Sequence, residues 1–276
     1  MTVLARYDFT RPRTIIVAAV LLGVVAGLVG AVFHTVVTEP RVDDAIALEE
    51  AGADHGGDGA ATGEDGEDGD AEITVDRSDQ RGAGLFLAYA LTGAAFGLLL
   101  AVASLSLRTT TGGPFHRVLV SGVVLAGAVT VTPWLKYPPN PPAVGDPATV
   151  GERERLYVLC SVLAAMALAG LAHLSGRLRA AGWPDDRRVA ATAAAALGAS
   201  ALLFGLLPPS PDAVGVPANL VWQFRLNSLT GNLLVWVVLV VGLGVVWAES
   251  TRAAAARQAA PAVQNSMPLS ADTPAS

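Results

Sequence analysis

Six stretches of this 276-residue chain contain no Asp, Glu, Lys or Arg: Thr14 to Thr38, Gly82 to Leu107, Val118 to Leu135, Leu156 to Gly176, Val189 to Pro211 and Leu226 to Ala248. A water-facing helix needs a polar stripe opposite its apolar one, so uncharged runs of this length leave few folds open. An α-helix rises about 1.5 Å per residue, which lets each run cross a hydrocarbon core of roughly 30 Å, and a helix pairs its own backbone groups where water cannot. With 52% hydrophobic and only 15% charged residues, the chain is too apolar for an ordinary soluble domain. The expected fold class is all-α: a polytopic transmembrane helical bundle of about six spans over residues 14–248. Segment 1–13 precedes it, and the Ala-, Pro- and Ser-rich residues 249–276 read as a disordered tail.

The first run follows Arg6, Arg11 and Arg13, as a secretory signal would. It exceeds the roughly 7 to 15 apolar residues of a signal core and ends in His34-Thr35-Val36-Val37-Thr38 without a small-x-small cleavage site, so a retained helix is expected. With the N-terminus inside, the cytoplasmic segments hold eleven of the eighteen Lys and Arg residues. The positive-inside bias therefore predicts both termini in the cytoplasm. The lipid bilayer is the first partner, and no nucleic acid is expected.

Between the first two spans, residues 41–81 carry Glu49-Glu50, Asp54, Asp58, Glu64-Asp65, Glu67-Asp68 and Asp70 among Gly and Ala. Low hydrophobicity with high charge predicts an acidic extracytoplasmic loop without a core. Two readings stay open, a solvated surface or an electrostatic funnel that concentrates divalent cations at the outer mouth.

An internal repeat organises the second half. Pro138-Pro139-Asn140-Pro141-Pro142-Ala143-Val144-Gly145-Asp146-Pro147-Ala148 returns seventy residues later as Pro208-Pro209-Ser210-Pro211-Asp212-Ala213-Val214-Gly215-Val216-Pro217-Ala218, identical at eight of eleven positions, with Arg155 and Arg225 also at matching offsets. Both loops fall outside between an outgoing and a returning span, so spans three to six read as a parallel repeat of two helical hairpins. Prolines at this density stiffen the loops, and Gly145 and Gly215 allow turns. The loops, with Arg155 and Arg225, either cap the helix ends or frame a gate or vestibule. Gly23 and Gly27, and Gly93 and Gly97, make two small-x-x-x-small pairs suited to close helix packing.

Enzyme chemistry finds little support. No phosphate-binding loop ends in Lys-Ser or Lys-Thr, Lys136 being the only lysine, and Cys160 has no thiol partner. No cofactor is expected. Candidate metal ligands gather near the outer end of the first span: His34, Glu39, Asp43 and Glu49. Were the helix to run past Pro40, Glu39 and Asp43 would stand one turn apart with His34 about a turn deeper. Imidazole with carboxylates suits a borderline divalent ion such as cobalt, nickel or zinc, as transported substrate. A hydrogen-bonded interfacial histidine is the competing reading of His34.

Several of these segments resemble the probable cobalt transporter subunit family of CbtA type. They are Glu39-Pro40 with the Ala45 to Glu49 helix start, Gly93-Ala94-Ala95-Phe96-Gly97-Leu98-Leu99-Leu100-Ala101, and the Pro138-Pro139 and Pro208-Pro209 loops, the latter followed by Trp222 and Arg225. The family pattern often has an acidic residue where this chain has Ile46. The resemblance implies an inner-membrane subunit for cobalt uptake that works with a small, single-span, histidine-bearing companion of CbtB type. The alternatives are a non-transporting scaffold or a transporter of another small solute.

Overall fold

The computed structural model describes residues 11–55, 79–106, 112–141, 144, 149–211 and 217–265. Among them all regular structure is helical: α1 (Pro12–Phe33), α2 (Glu39–His55), α3 (Leu85–Ser106), α4 (Pro114–Ala126), α5 (Thr132–Lys136), α6 (Val150–Ala180), α7 (Asp185–Leu206) and α8 (Ala218–Asn265). Three π-helical turns, His34–Thr38, Gln80–Gly84 and Gly127–Val131, join or precede them. Six continuous segments are long and apolar enough to cross a bilayer: Pro12–Leu48, Arg81–Ser106, Pro114–Lys136, Val150–Ala180, Asp185–Leu206 and Ala218–Gln258. The chain is a multi-pass membrane protein.

Helix boundaries follow local chemistry. α1 and α4 each start with proline in the first turn after an extended residue, Arg11 or Gly113, where the missing N–H costs nothing. α6 closes on Gly182 at φ 77°, with Gly182 N–H donating to Arg179 O and Trp183 N–H to Leu178 O, the paired bonds of a Schellman stop. α7 opens with Asp185 and Asp186, whose charge complements the helix N-terminus.

The main core joins α1, α3, α4 and α8. Ile15, Ala19 and Ala26 meet Leu100 and Ala101, Val118, and Val235, Trp236, Leu239, Val240, Leu243 and Trp247. At its centre α1 and α3 run antiparallel with their backbones touching: Gly23 faces Gly93, Gly27 faces Tyr89, and Gly97 faces Ala19, so a Cβ on any of these glycines would enter the opposing carbonyl. Lipid gives no hydrophobic drive toward helix association, and such close approach supplies the dispersion contacts instead. The expected role of the two glycine pairs is met. α8 seats Trp236 against Phe96 (4.6 Å between stacked rings) and donates from its indole N–H to Thr130 Oγ1 at 2.9 Å.

A second, smaller cluster joins Tyr137, Leu156, Cys160 and Leu207 near the proline loops. α6 and α7 pack on each other beside it, and α7 buries no residue. The two proposed hairpins therefore differ. α8 leaves α7 and packs against α1 and α4, because α8 offers Trp236, Leu239 and Leu243 where α7 offers mainly alanine.

Two expected loop regions are helical instead. The chain does not leave the helix after Pro40 but continues through His55, so residues 41–55 are not loop; residues 56–78 lie outside the described residues. The tail expected to be disordered from residue 249 is helical through Asn265. Its alanines, arginines and glutamine are strong helix formers that extend a helix already nucleated in the membrane.

Candidate functional site

Pro40 sets the backbone at the C-terminal end of the first apolar run. A proline inside a helix has no N–H to donate and its ring collides with the carbonyl four residues back. The chain widens over His34–Thr38, where Glu39 N–H donates to His34 O, and the helix then resumes. The same device precedes Pro133: Thr132 N–H donates to Gly127 O, and the carbonyl of Val129 accepts from the Tyr157 hydroxyl at 3.2 Å. Such single-turn bulges are frequent at functional sites.

The bulge turns His34 inward, leaving it 5% exposed. Its Nδ1 lies 2.8 Å from Thr38 Oγ1, and its ring stands 4.7 Å from that of Tyr89 on α3. On the third side is Gly231 of α8, where any Cβ would collide with Nε2. Asn227, one turn away on α8, donates to Val37 O at 3.2 Å and holds α8 against the bulge. Nε2 itself is buried and has no hydrogen-bond partner. Three helices thus meet around one nitrogen whose hydrogen-bonding capacity is unused.

One turn further along the helix, Glu39 is also buried, at 7% exposure. Because the helix continues, Glu39 and Asp43 share a face, as the sequence spacing anticipates for an unbroken helix. A residue that no spacing singles out lies between them: Arg81 places Nη2 2.8 Å from Asp43 Oδ2 and Nε 3.5 Å from Glu39 Oε2. Arg41 pairs with Asp44 at 3.0 Å. Glu49 lies further along α2, its side chain outside the described residues. Among the described residues no three His, Cys, Asp or Glu side chains converge as a preformed metal cage. Along the helix the candidate ligands follow in the order His34, Glu39, Asp43 and Glu49.

The proline loops also meet. Tyr137 donates its hydroxyl to Pro208 O at 2.8 Å, joining the first loop to the second, and Lys136 Nζ donates to Phe204 O at 3.0 Å. Arg225 does not reach Glu39 or Asp43; it donates to Pro139 O at 3.3 Å and Asn140 Oδ1 at 2.6 Å, while its own carbonyl accepts from Trp134 Nε1 at 2.9 Å. Arg155, its counterpart in the repeat, turns back to Gly151 O on its own helix. The two arginines therefore play different parts. A pocket of about 230 Å³ lies between Tyr137, Pro138, Pro139, Asn140, the start of α6 and Ser210. Pro209 ends the helical run of α7 with its neighbours, and Gly145 and Gly215 lie outside the described residues. The His34 ring is packed between α1, α3 and α8, so of the four helical arms in the two repeated hairpins only α8 reaches it.

Beyond the expected ligands, Thr38, Tyr89, Gly231, Asn227 and Arg81 complete the site. The sequence holds one usable signal for them, a proline following a polar-ended apolar run, which implies a bulge and a changed helix face.

Among curated proteins and among solved structures nothing matches the chain. A family model described as a probable cobalt transporter subunit (CbtA) matches residues 12–248, which takes in the first five spans, most of the sixth and the whole His34 region. Together with the six membrane-crossing helices, that match places the chain in the CbtA family of probable cobalt transporter subunits.

Proposed function

We propose that the chain is the translocating subunit of a cobalt uptake system in the cell membrane, with both termini cytoplasmic, working beside a small single-span companion that first captures the metal. It moves an ion and performs no chemical conversion. The divalent substrate meets Glu49, Asp43 and Glu39 at the outer mouth and passes inward to His34, while the joined proline loops stiffen the rim.

The observation that supports this reading is the buried, unpartnered Nε2 of His34, one turn below Glu39 and two below Asp43. When Nδ1–H donates to Thr38 Oγ1, Nε2 presents a lone pair toward Gly231 of α8, and an imidazole nitrogen on the same helix as carboxylates suits cobalt. A buried polar atom left without a partner costs stability, so its retention favours a role in binding.

Radiolabelled cobalt uptake in cells expressing the chain with its companion tests the proposal. Replacing His34 with Ala is expected to reduce uptake at limiting cobalt by at least about tenfold, the worth of one lost charge-assisted or coordinate contact. Unchanged uptake in His34→Ala, with the protein present in the membrane, would exclude His34 from the route.

A further inference from the structure

We propose that the N-terminal arm of α8, up to Gly231, is a gate over the His34 imidazole, with Asn227 as its latch and this structure as its closed state. The inference rests on the metal site proposed above and adds the step that opens it.

Two of the three walls around the ring are fixed. Nδ1 is tied to Thr38 on its own span, and α3 is locked to α1 by the glycine seam as far as Gly27 and Tyr89, about two turns before the ring. The third wall, α8, shuts the ring off. Gly231 stands so close that a Cβ there would collide with Nε2 and lie 2.7 Å from Cε1 and 2.9 Å from Cδ2. A divalent ion such as zinc sits about 2.0–2.1 Å from an imidazole nitrogen and brings further ligands with it, so none fits while the Gly231 backbone is in place. The unpaired Nε2 is thus a nitrogen whose partner can arrive only when the arm withdraws.

The helix is suited to bend at this point. Glycine inside a helix leaves the backbone freer than any other residue does. On either side of Gly231, Thr230 Oγ1 donates to Leu226 O at 2.8 Å and Asn232 Nδ2 to Ser228 O at 2.9 Å. Side chains that bond back to carbonyls four residues earlier compete with the helical ladder and bend helices. C-terminal to the glycine, Val235, Trp236, Leu239 and Leu243 are held in the main core. N-terminal to it, the arm is tied to the first span by Asn227, whose Nδ2 donates to Val37 O in the π-turn at 3.2 Å. A neutral hydrogen bond of that length is a weak tie that can break without the protein coming apart. The same arm carries Arg225, so its clasp on Pro139 and Asn140 would travel with it.

Diethyl pyrocarbonate acylates accessible neutral imidazole nitrogens, and mass spectrometry of the full-length chain, treated in phosphatidylcholine nanodiscs and then digested, gives a rate for each histidine. The exposed His116 and His173 serve as references. In the native chain His34 is expected to react far more slowly than either. In Asn227→Leu its rate is expected to rise about fivefold, the worth of one neutral hydrogen bond, while the references keep their native rates. Asn227→Ala serves the same purpose should the leucine variant misfold. Trp236→Phe, which loses a hydrogen bond from the part of α8 that stays in the core, is expected to leave the His34 rate unchanged. A native His34 as reactive as the references, an unchanged His34 rate in both Asn227 variants, or an equal acceleration in Trp236→Phe would each overturn the gate. The reagent reads only access to the ring, so a failed gate leaves cobalt uptake through His34 standing, and unchanged uptake in His34→Ala would remove the route without altering these rates.

Discussion

The α1–α3 pair and the α6–α7 pair are both antiparallel neighbours of apolar helices, yet they are held in different ways. In the first, glycine faces glycine or bare backbone along three successive turns, and a neighbouring helix adds Trp236 and leucines. In the second, α7 buries nothing, and the glycines Gly170, Gly176, Gly198 and Gly205 face open space. Small residues alone therefore do not make a seam. Two helices must present them in register, with large side chains from a third to fill the flanks. The rigid group is the one that carries His34, so the site stands on the best-packed part of the molecule while the peripheral pair faces outward.

Three substitutions would break or sharpen that contrast. Gly23→Leu puts a branched side chain into the Gly93 carbonyl, where ordinary overpacking already costs about 1–3 kcal/mol and backbone cannot yield as a side chain does. Loss of monodisperse protein on size-exclusion chromatography is the expected result; a normal elution profile would mean that the seam is loose. Trp236→Phe keeps the stacking on Phe96 but removes the bond to Thr130, for an expected loss of about 1 kcal/mol seen as a lower thermal midpoint in detergent. Gly198→Leu on α7 should cost nothing in packing, since nothing stands within 4 Å, and should raise stability by up to about 1 kcal/mol through helix propensity. A large loss there would show that α7 is more closely packed in the membrane than its neighbours in the chain imply.

Much of this architecture is legible in the sequence, and the parts that are not have identifiable causes. The six uncharged runs, the glycine pairs and the spacing of Glu39 and Asp43 all carry through, because each depends on local composition or on a helix period. The course of the chain after Pro40 does not, since whether proline ends a helix or is absorbed by a bulge depends on what packs against it, here Asn227 and Gly231 from α8. Arg81 is illegible for another reason. It meets Asp43 across 38 residues of chain, and no periodicity links the two. The proline repeat shows that two loops share an origin, but not that Arg225 would clasp the first loop while Arg155 turns away. The helix beyond Ala248 was hidden by composition, as an Ala-rich segment serves equally well as a free chain or as the continuation of a helix begun elsewhere.

The π-turn at His34–Thr38 amounts to one surplus residue in an otherwise regular helix. Each residue of an α-helix turns the chain by about 100°, and the widened turn takes up its extra residue by closing from Glu39 N–H to His34 O, five residues back instead of four. Deleting one residue from 35–37 would restore an unbroken winding and leave the glycine seam of α1 undisturbed. The same deletion would make His34 and Glu39 an ordinary i, i+4 pair, still one turn apart on one face. What it would remove is the slack that lets the helix pass Pro40, so a length change too small to alter the number of spans would set the proline ring against a regular turn.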